Sequence, residues 1–194
     1  MAMSIFSSVL LLLFLSCAII STPVTSSKQD NDYLISSRII SHPAVEKQSH
    51  LRFYWHDIHS GPNPTNVRVA QAPETNKSST FFGVVNIIDD PLTTGPDVNS
   101  KLVGRAQGII AGAGLYKLEY LVAWNLVFND GKYNGSTIAI LGRSEVFTPV
   151  REMPIVGGSG LFRFARGYVL ARTYSHDLVT RDAVVEYNVF VNHY

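Results

Sequence analysis

Apolar and polar positions alternate with a period of two through most of the chain beyond residue 50, and that period predicts strands. In Leu51-Arg52-Phe53-Tyr54-Trp55-His56-Asp57, the residues Leu51, Phe53, Trp55 and Asp57 share one side, so a carboxylate ends an aromatic face. Val67–Ala70 is a short extended piece. Phe81–Ile88 is the next strand, expected to stop at Asp89-Asp90-Pro91 because proline cannot donate to a central ladder. Leu102–Ile110 carries Gly104, Ala106 and Gly108, small residues expected where something packs close. Leu118–Phe128 is apolar on both faces and needs a second covering layer. Asn129-Asp130-Gly131 and Asn134-Gly135 are tight-turn signals before a strand at Ser136–Leu141. Gly157, Gly158 and Gly160 are read as a turn between the charged pair Arg151-Glu152 and a long strand from Leu161. Ala183–Val191 closes the chain with Ala183, Val185, Tyr187, Val189 and Val191 on one face and Glu186 and Asn188 on the other. No segment shows a capped helical period. Seven to nine strands joined by short turns predict an all-β sandwich or barrel.

The first residues follow another pattern. The apolar run Val9–Ile20, followed by small residues through Ser27, has the length and flank of a secretory signal peptide and is short for a membrane span. Residues 1–26 are assigned to that leader, 27–49 to a flexible polar arm and 50–194 to one folded domain. The only cysteine, Cys17, lies in the leader, so the core or oligomerisation must hold the secreted domain together without disulfides. In a secreted chain, Asn76-Lys77-Ser78 and Asn134-Gly135-Ser136 become glycosylation acceptors, whereas Asn63-Pro64-Thr65 is excluded by its proline.

Sixteen Lys and Arg nearly balance fifteen Asp and Glu, with no basic run, so no footprint for nucleic acid or anionic membrane is visible and an uncharged partner is expected. His56 and His59 do not suggest metal, since a spacing of three on an extended chain sends the rings to opposite faces. Gly112-Ala113-Gly114 and Gly158-Ser159-Gly160 lack the third glycine and the helix of a nucleotide fingerprint. No cofactor is expected.

Four blocks, taken together and in order, resemble the plant dirigent proteins: Phe53-Tyr54-Trp55-His56-Asp57-Ile58, Asp89-Asp90-Pro91-Leu92-Thr93, Val103-Gly104-Arg105-Ala106-Gln107-Gly108, and Arg151-Glu152 through Gly157-Gly158-Ser159-Gly160 to Ala165-Arg166-Gly167-Tyr168. Asp182–Val189 fits too. The resemblance implies an eight-stranded antiparallel β-barrel, a homotrimer, secretion to the apoplast and a pocket at the barrel mouth. It implies stereoselective coupling of monolignol phenoxy radicals, such as those of coniferyl alcohol, made by an external laccase or peroxidase. The alternative it implies is the pterocarpan-synthase reaction, dehydration of an isoflavanol through a quinone methide. A binding-only wall or defence protein is a third expectation.

By the same resemblance Asp57 and Arg151 are the catalytic acid and arginine, with Trp55, Phe53 and Ser144 lining the substrate pocket. An acid beside aromatics suits proton transfer at a phenol or quinone methide oxygen, and a guanidinium suits developing phenolate charge. Ser144 stands where lignan-forming relatives carry a second pocket aspartate, and Ile109-Ile110-Ala111 stands in place of an aromatic pair. Both changes weigh against pinoresinol-type coupling. The residues alone leave other roles open: Asp57 as a structural acid at a strand end, Arg151 in a surface ion pair with Glu152, Arg105, Arg163 and Arg166 as braces, and Asp89 and Asp90 as turn caps or, less favoured, lining the mouth.

Overall fold

The computed structural model describes residues 45–194. The leader assigned to residues 1–26 and nearly all of the expected arm lie outside the described residues. Nine strands follow: β1 Lys47–Asp57, β2 Asn66–Gln71, β3 Val84–Thr93, β4 Leu102–Gly112, β5 Glu119–Phe128, β6 Thr137–Glu145, β7 Arg151–Ser159, β8 Arg166–His176 and β9 Ala183–His193. Every pairing is antiparallel, in the order β1-β9-β8-β7-β6-β5-β4-β3, and β1 pairs back onto β3 through Tyr54 with Thr93 and Trp55 with Leu92. Eight strands therefore close a barrel, and β2 lies along the first half of β3 as a ninth. Closure removes the sheet edges that would otherwise invite aggregation.

Period-two alternation decides what faces inward. Phe53 and Trp55 on β1, Val122, Trp124, Leu126 and Phe128 on β5, and Val185, Tyr187, Val189 and Val191 on β9 join one continuous core. The small residues of β4 fit this packing: a Cβ on Gly108 would come within 2.5 Å of the Trp124 Cα, and one on Gly104 within 2.3 Å of the Val127 carbonyl oxygen.

Three expectations are corrected. β1 begins at Lys47, so the last residues assigned to the arm are strand. β3 does not stop at Asp89-Asp90-Pro91 but runs through it to Thr93. The Asp89 amide reaches the Thr65 carbonyl on the β2 side, so alternation points the nitrogen of Pro91 the same way. That position falls between the end of the β2 pairing at Ile88 and the start of the β1 pairing at Leu92, where no ladder bond is lost. Gly157 and Gly158 form no hairpin turn either. They lie within β7, beside a register shift that pairs Ala139 with Gly157 but Ile140 with Ile155 and leaves Val156 as the extra residue of a bulge. The connection itself is the short 3-10 turn Gly160–Phe162, and β8 starts only at Arg166.

Candidate functional site: a cavity at one end of the barrel

The end of β1, the starts of β5, β7 and β9 and the ends of β6 and β8 surround a cavity of about 1130 Å³. Trp55, Trp124 and Tyr187 form an aromatic floor: Trp55 lies 5.3 Å from Trp124 and 6.0 Å from Tyr187 between ring centroids. Phe53 sits beneath, stacked on Tyr187 at 5.9 Å, and supports the floor rather than lining the cavity. Ser144 lines the wall opposite, paired across the sheet with Tyr120.

Asp57 is the last inward residue of β1 and is largely sheltered. Its Oδ1 accepts a hydrogen bond from Asn66 Nδ2 at 2.8 Å and lies 3.2 Å from His59 Nε2. Asn66 is itself buried and held by Asn86, whose Nδ2 donates to Asn66 Oδ1 at 2.6 Å. Among the described residues Oδ2 of Asp57 has no partner. A carboxylate with one oxygen anchored and the other free is set to exchange a proton with a ligand. The chain after Asp57 is held by Asp182, which accepts from the backbone amides of His59 at 2.8 Å and Ser60 at 3.0 Å and from the Ser60 hydroxyl at 2.5 Å. Burial pushes the Asp182 carboxyl upward, but these donors outweigh it and keep it below its usual range.

Arg151 is buried, and no ion pair joins it to Glu152. Neighbouring strand residues face opposite ways, and Glu152 is exposed outside the barrel. Arg151 Nη1 donates to the Val146 carbonyl at 3.0 Å and to Thr173 Oγ1 at 2.9 Å, tying the β6–β7 connection to β8. Loss of hydration lowers its pKa, partly offset by the nearby Tyr187. Among the described residues Nη2 and Nε have no protein acceptor. The phenols of Tyr120 and Tyr187 both line the cavity without hydrogen-bond partners among the described residues, and burial raises both pKa values, so both stay neutral donors at ordinary pH.

Asp89 and Asp90 cap no turn; both lie in β3 and face opposite ways. Asp89 pairs outside the barrel with Arg105, 2.5 Å from its Nε. Asp90 is fully buried under the floor, accepting from Trp55 Nε1 at 2.8 Å and Thr65 Oγ1 at 2.5 Å. Burial, reinforced by the charge of Asp57, pushes Asp90 up to about 8. It steadies Trp55 from behind. Arg166 pairs with Glu46 outside the barrel, 2.8 Å from its Oε1.

Sequence reasoning missed His59, Asn66, Tyr120, Trp124 and Tyr187 as parts of this end. Alternation already put Tyr187 on the apolar face of the last strand and Tyr120 and Trp124 on one face of Leu118–Phe128, whereas Asn66 and His59 reach Asp57 only because the chain folds back after β1. Among the described residues no group of three His, Cys, Asp or Glu is arranged to hold a metal ion. No helix among them is long and apolar enough to cross a membrane.

The antiparallel barrel is thus packed at one end and opens at the other into a cup that holds an acid, an arginine and two phenols. The dirigent-like protein family matches residues 48–192, and the chain belongs to that family. It is 48% identical over 190 residues to dirigent protein 21 of Arabidopsis thaliana, covering 98% of this chain and 99% of the relative. It is 50% identical over 150 residues to pterocarpan synthase 1 of Glycine max, covering 77% of this chain and 81% of that protein. A solved structure of a pterocarpan synthase dirigent protein superposes with a TM-score of 0.74 at 48% identity, covering 79% of this chain and 88% of that one. The family acts on phenolic substrates.

Proposed function

We propose that this protein is a hydro-lyase of the dirigent family, acting on a phenol whose benzylic carbon carries a hydroxyl, with an isoflavanol as the substrate class. The observation that carries this reading is the Asp57 carboxylate, anchored through Oδ1 and open at Oδ2, in a cavity that also holds Arg151 and two neutral phenols. Loss of the hydroxyl through a quinone methide needs a proton taken from the ring phenol and a proton given to the leaving oxygen. The guanidinium of Arg151 suits the phenolate charge that develops. The names of relatives about 50% identical, pterocarpan synthases, support the same chemistry. Radical coupling of monolignols needs orientation but no proton transfer to a leaving group, so a cup with this polar inventory favours dehydration.

Secretion through the leader, glycans on Asn76 and Asn134 and assembly into a trimer belong to the same reading. Asn76 is exposed within the short 3-10 turn Thr75–Lys77, and Asn134 is exposed just after the turn Gly131–Tyr133. Val67, Ile87, Ile109 and Leu141 expose apolar side chains on the outside of β2, β3, β4 and β6, a patch suited to other copies of the chain.

The decisive experiment incubates the purified protein with a racemic isoflavanol and no oxidant, and in parallel with coniferyl alcohol and a laccase, and reads both by chiral chromatography. Accelerated, enantioselective dehydration in the first reaction is the expected result. Enantiomeric excess in the second alone overturns the lyase reading in favour of radical guidance. Racemic, unaccelerated product in both leaves a binding protein.

A further inference from the structure

Asp57 does not stand alone at the cavity mouth. His59 lies two residues further on and lines the same cavity, with Nε2 3.2 Å from Asp57 Oδ1. Its backbone is fixed by Asp182, so the ring is presented from an anchored loop. Asn66 occupies Asp57 Oδ1 from the other side and fixes the carboxylate against the imidazole. Nε2 is the ring nitrogen nearer the carboxylate, and Nδ1, the nitrogen left to exchange protons, has no protein partner among the described residues. On the opposite wall, position 144 is a serine and supplies no acid.

We propose that His59 is the second acid–base residue of this site, a catalytic partner of Asp57 that gives the leaving hydroxyl its proton. The proposal rests on the dehydration reading above. The ring phenol gives its proton to Asp57 Oδ2 while the imidazolium gives its Nδ1 proton to the benzylic hydroxyl. The C–O bond breaks with its electron pair going to oxygen, and water leaves a neutral quinone methide. A second hydroxyl of the substrate then adds to the benzylic carbon and gives its proton to His59 Nδ1. The ring oxygen takes its proton back from Asp57, both residues return to their starting state, and the sum is ring closure with loss of one water. An imidazole suits this work because it both donates and accepts a proton near neutral pH.

Other titratable groups around the cavity are Arg68 on β2, Tyr120 on β5, Arg151 on β7, His176 at the end of β8, Arg181 before β9 and Tyr187 on β9. His50 is an exposed histidine on the outside of β1, hydrogen-bonded to Asn188, which makes His50→Gln the control. The test measures dehydration of a racemic isoflavanol across pH 5 to 9 for wild type, His59→Gln and His50→Gln. His59→Gln is expected to lose about 10²-fold or more in kcat and to change the pH profile, while His50→Gln keeps both rate and profile. A His59→Gln protein with wild-type rate and profile overturns the proposal.

A second readout needs no turnover. Long-range ¹H–¹⁵N spectra of the histidine rings are expected to show His59 as the Nε2–H tautomer in wild type and as a mixture in Asp57→Asn. A tautomer unchanged by that substitution removes the pairing. If no isoflavanol reacts but the tautomer shifts, the dehydration reading fails and the Asp57–His59 pairing stands.

Discussion

At one end of the barrel the inward side chains meet. Phe162 lies 4.8 Å from Tyr133 and 5.6 Å from Phe128 between centroids, with His193 edge-on at 5.1 Å, and the pair Ser49 and His193 closes the gap with a 2.9 Å hydrogen bond. At the other end the same strands diverge around the cavity, and their inward positions are Asp57, Tyr120, Ser144, Arg151 and Thr173. Along β5 the inward parity never changes between the two ends, running Tyr120, Val122, Trp124, Leu126, Phe128. What changes is who fills the middle. The short turns Gly131–Tyr133 and Gly160–Phe162 fold Tyr133 and Phe162 inward at the packed end. At the open end the connections instead line the rim with Phe81, Phe147 and Leu178. Stability therefore concentrates at one end and chemistry at the other, where polar groups are left with free valences that a finished core would not tolerate.

If that division is right, substitutions at the two ends separate activity from stability. The largest effect is expected from Asp57→Asn, which keeps an acceptor for Asn66 but removes the proton acceptor: dehydration should fall about 10²–10⁴-fold with an unchanged circular dichroism spectrum and oligomeric state. Unchanged turnover would reduce the open end to a binding cup. At the packed end, Phe162→Ala should cost about 3–5 kcal/mol in urea unfolding while the remaining folded protein keeps its turnover. Equal losses of activity and stability would mean that the two ends are one unit.

Arg151→Met blurs the division on purpose, since this residue serves both. It should cost about 1.5–3 kcal/mol by stranding the Val146 carbonyl and Thr173, and should also lower product enantioselectivity. A stability loss without a change in selectivity would confine Arg151 to holding the β6–β7 connection.

The last prediction is a slope. Asp90 holds its proton in the folded state up to about pH 8, whereas the unfolded chain releases it near its ordinary value of 3.8. The folded state thus binds more protons between these limits, and stability contributed by this group falls as pH rises through the window. Asp90→Asn still offers Trp55 an acceptor, and Thr65 can turn its hydroxyl to accept from the amide. The variant should show a flatter dependence of thermal midpoint on pH between about 4 and 8. An unaltered slope would assign the dependence to other groups.

Much of this was legible along the chain. Period two placed Phe53, Trp55 and Asp57 on one face and Ala183 to Val191 on another, and the register pairs Phe53 with Tyr187 and Asp57 with Ala183. The same rule, applied to Arg151 and Glu152, already sends them to opposite sides of the sheet. It failed where a local signal was read without its neighbours. Pro91 looked like a strand end because the gap between β2 and β1 is invisible in sequence, and Gly157-Gly158 looked like a turn because a bulge and a turn ask the same freedom of glycine.

The sequence by itself determined most of the strands, the alternation within each and the family, because alternation is a property of each strand alone and because motif blocks survive without their partners. Only the tertiary structure decided the site. Closure of β1 onto β3 brings Trp55 over Asp90, and the return of the chain through Asn66 and His59 surrounds Asp57 with partners up to nine residues away. Those contacts depend on where the barrel closes and where its loops return, and no period along the chain encodes either.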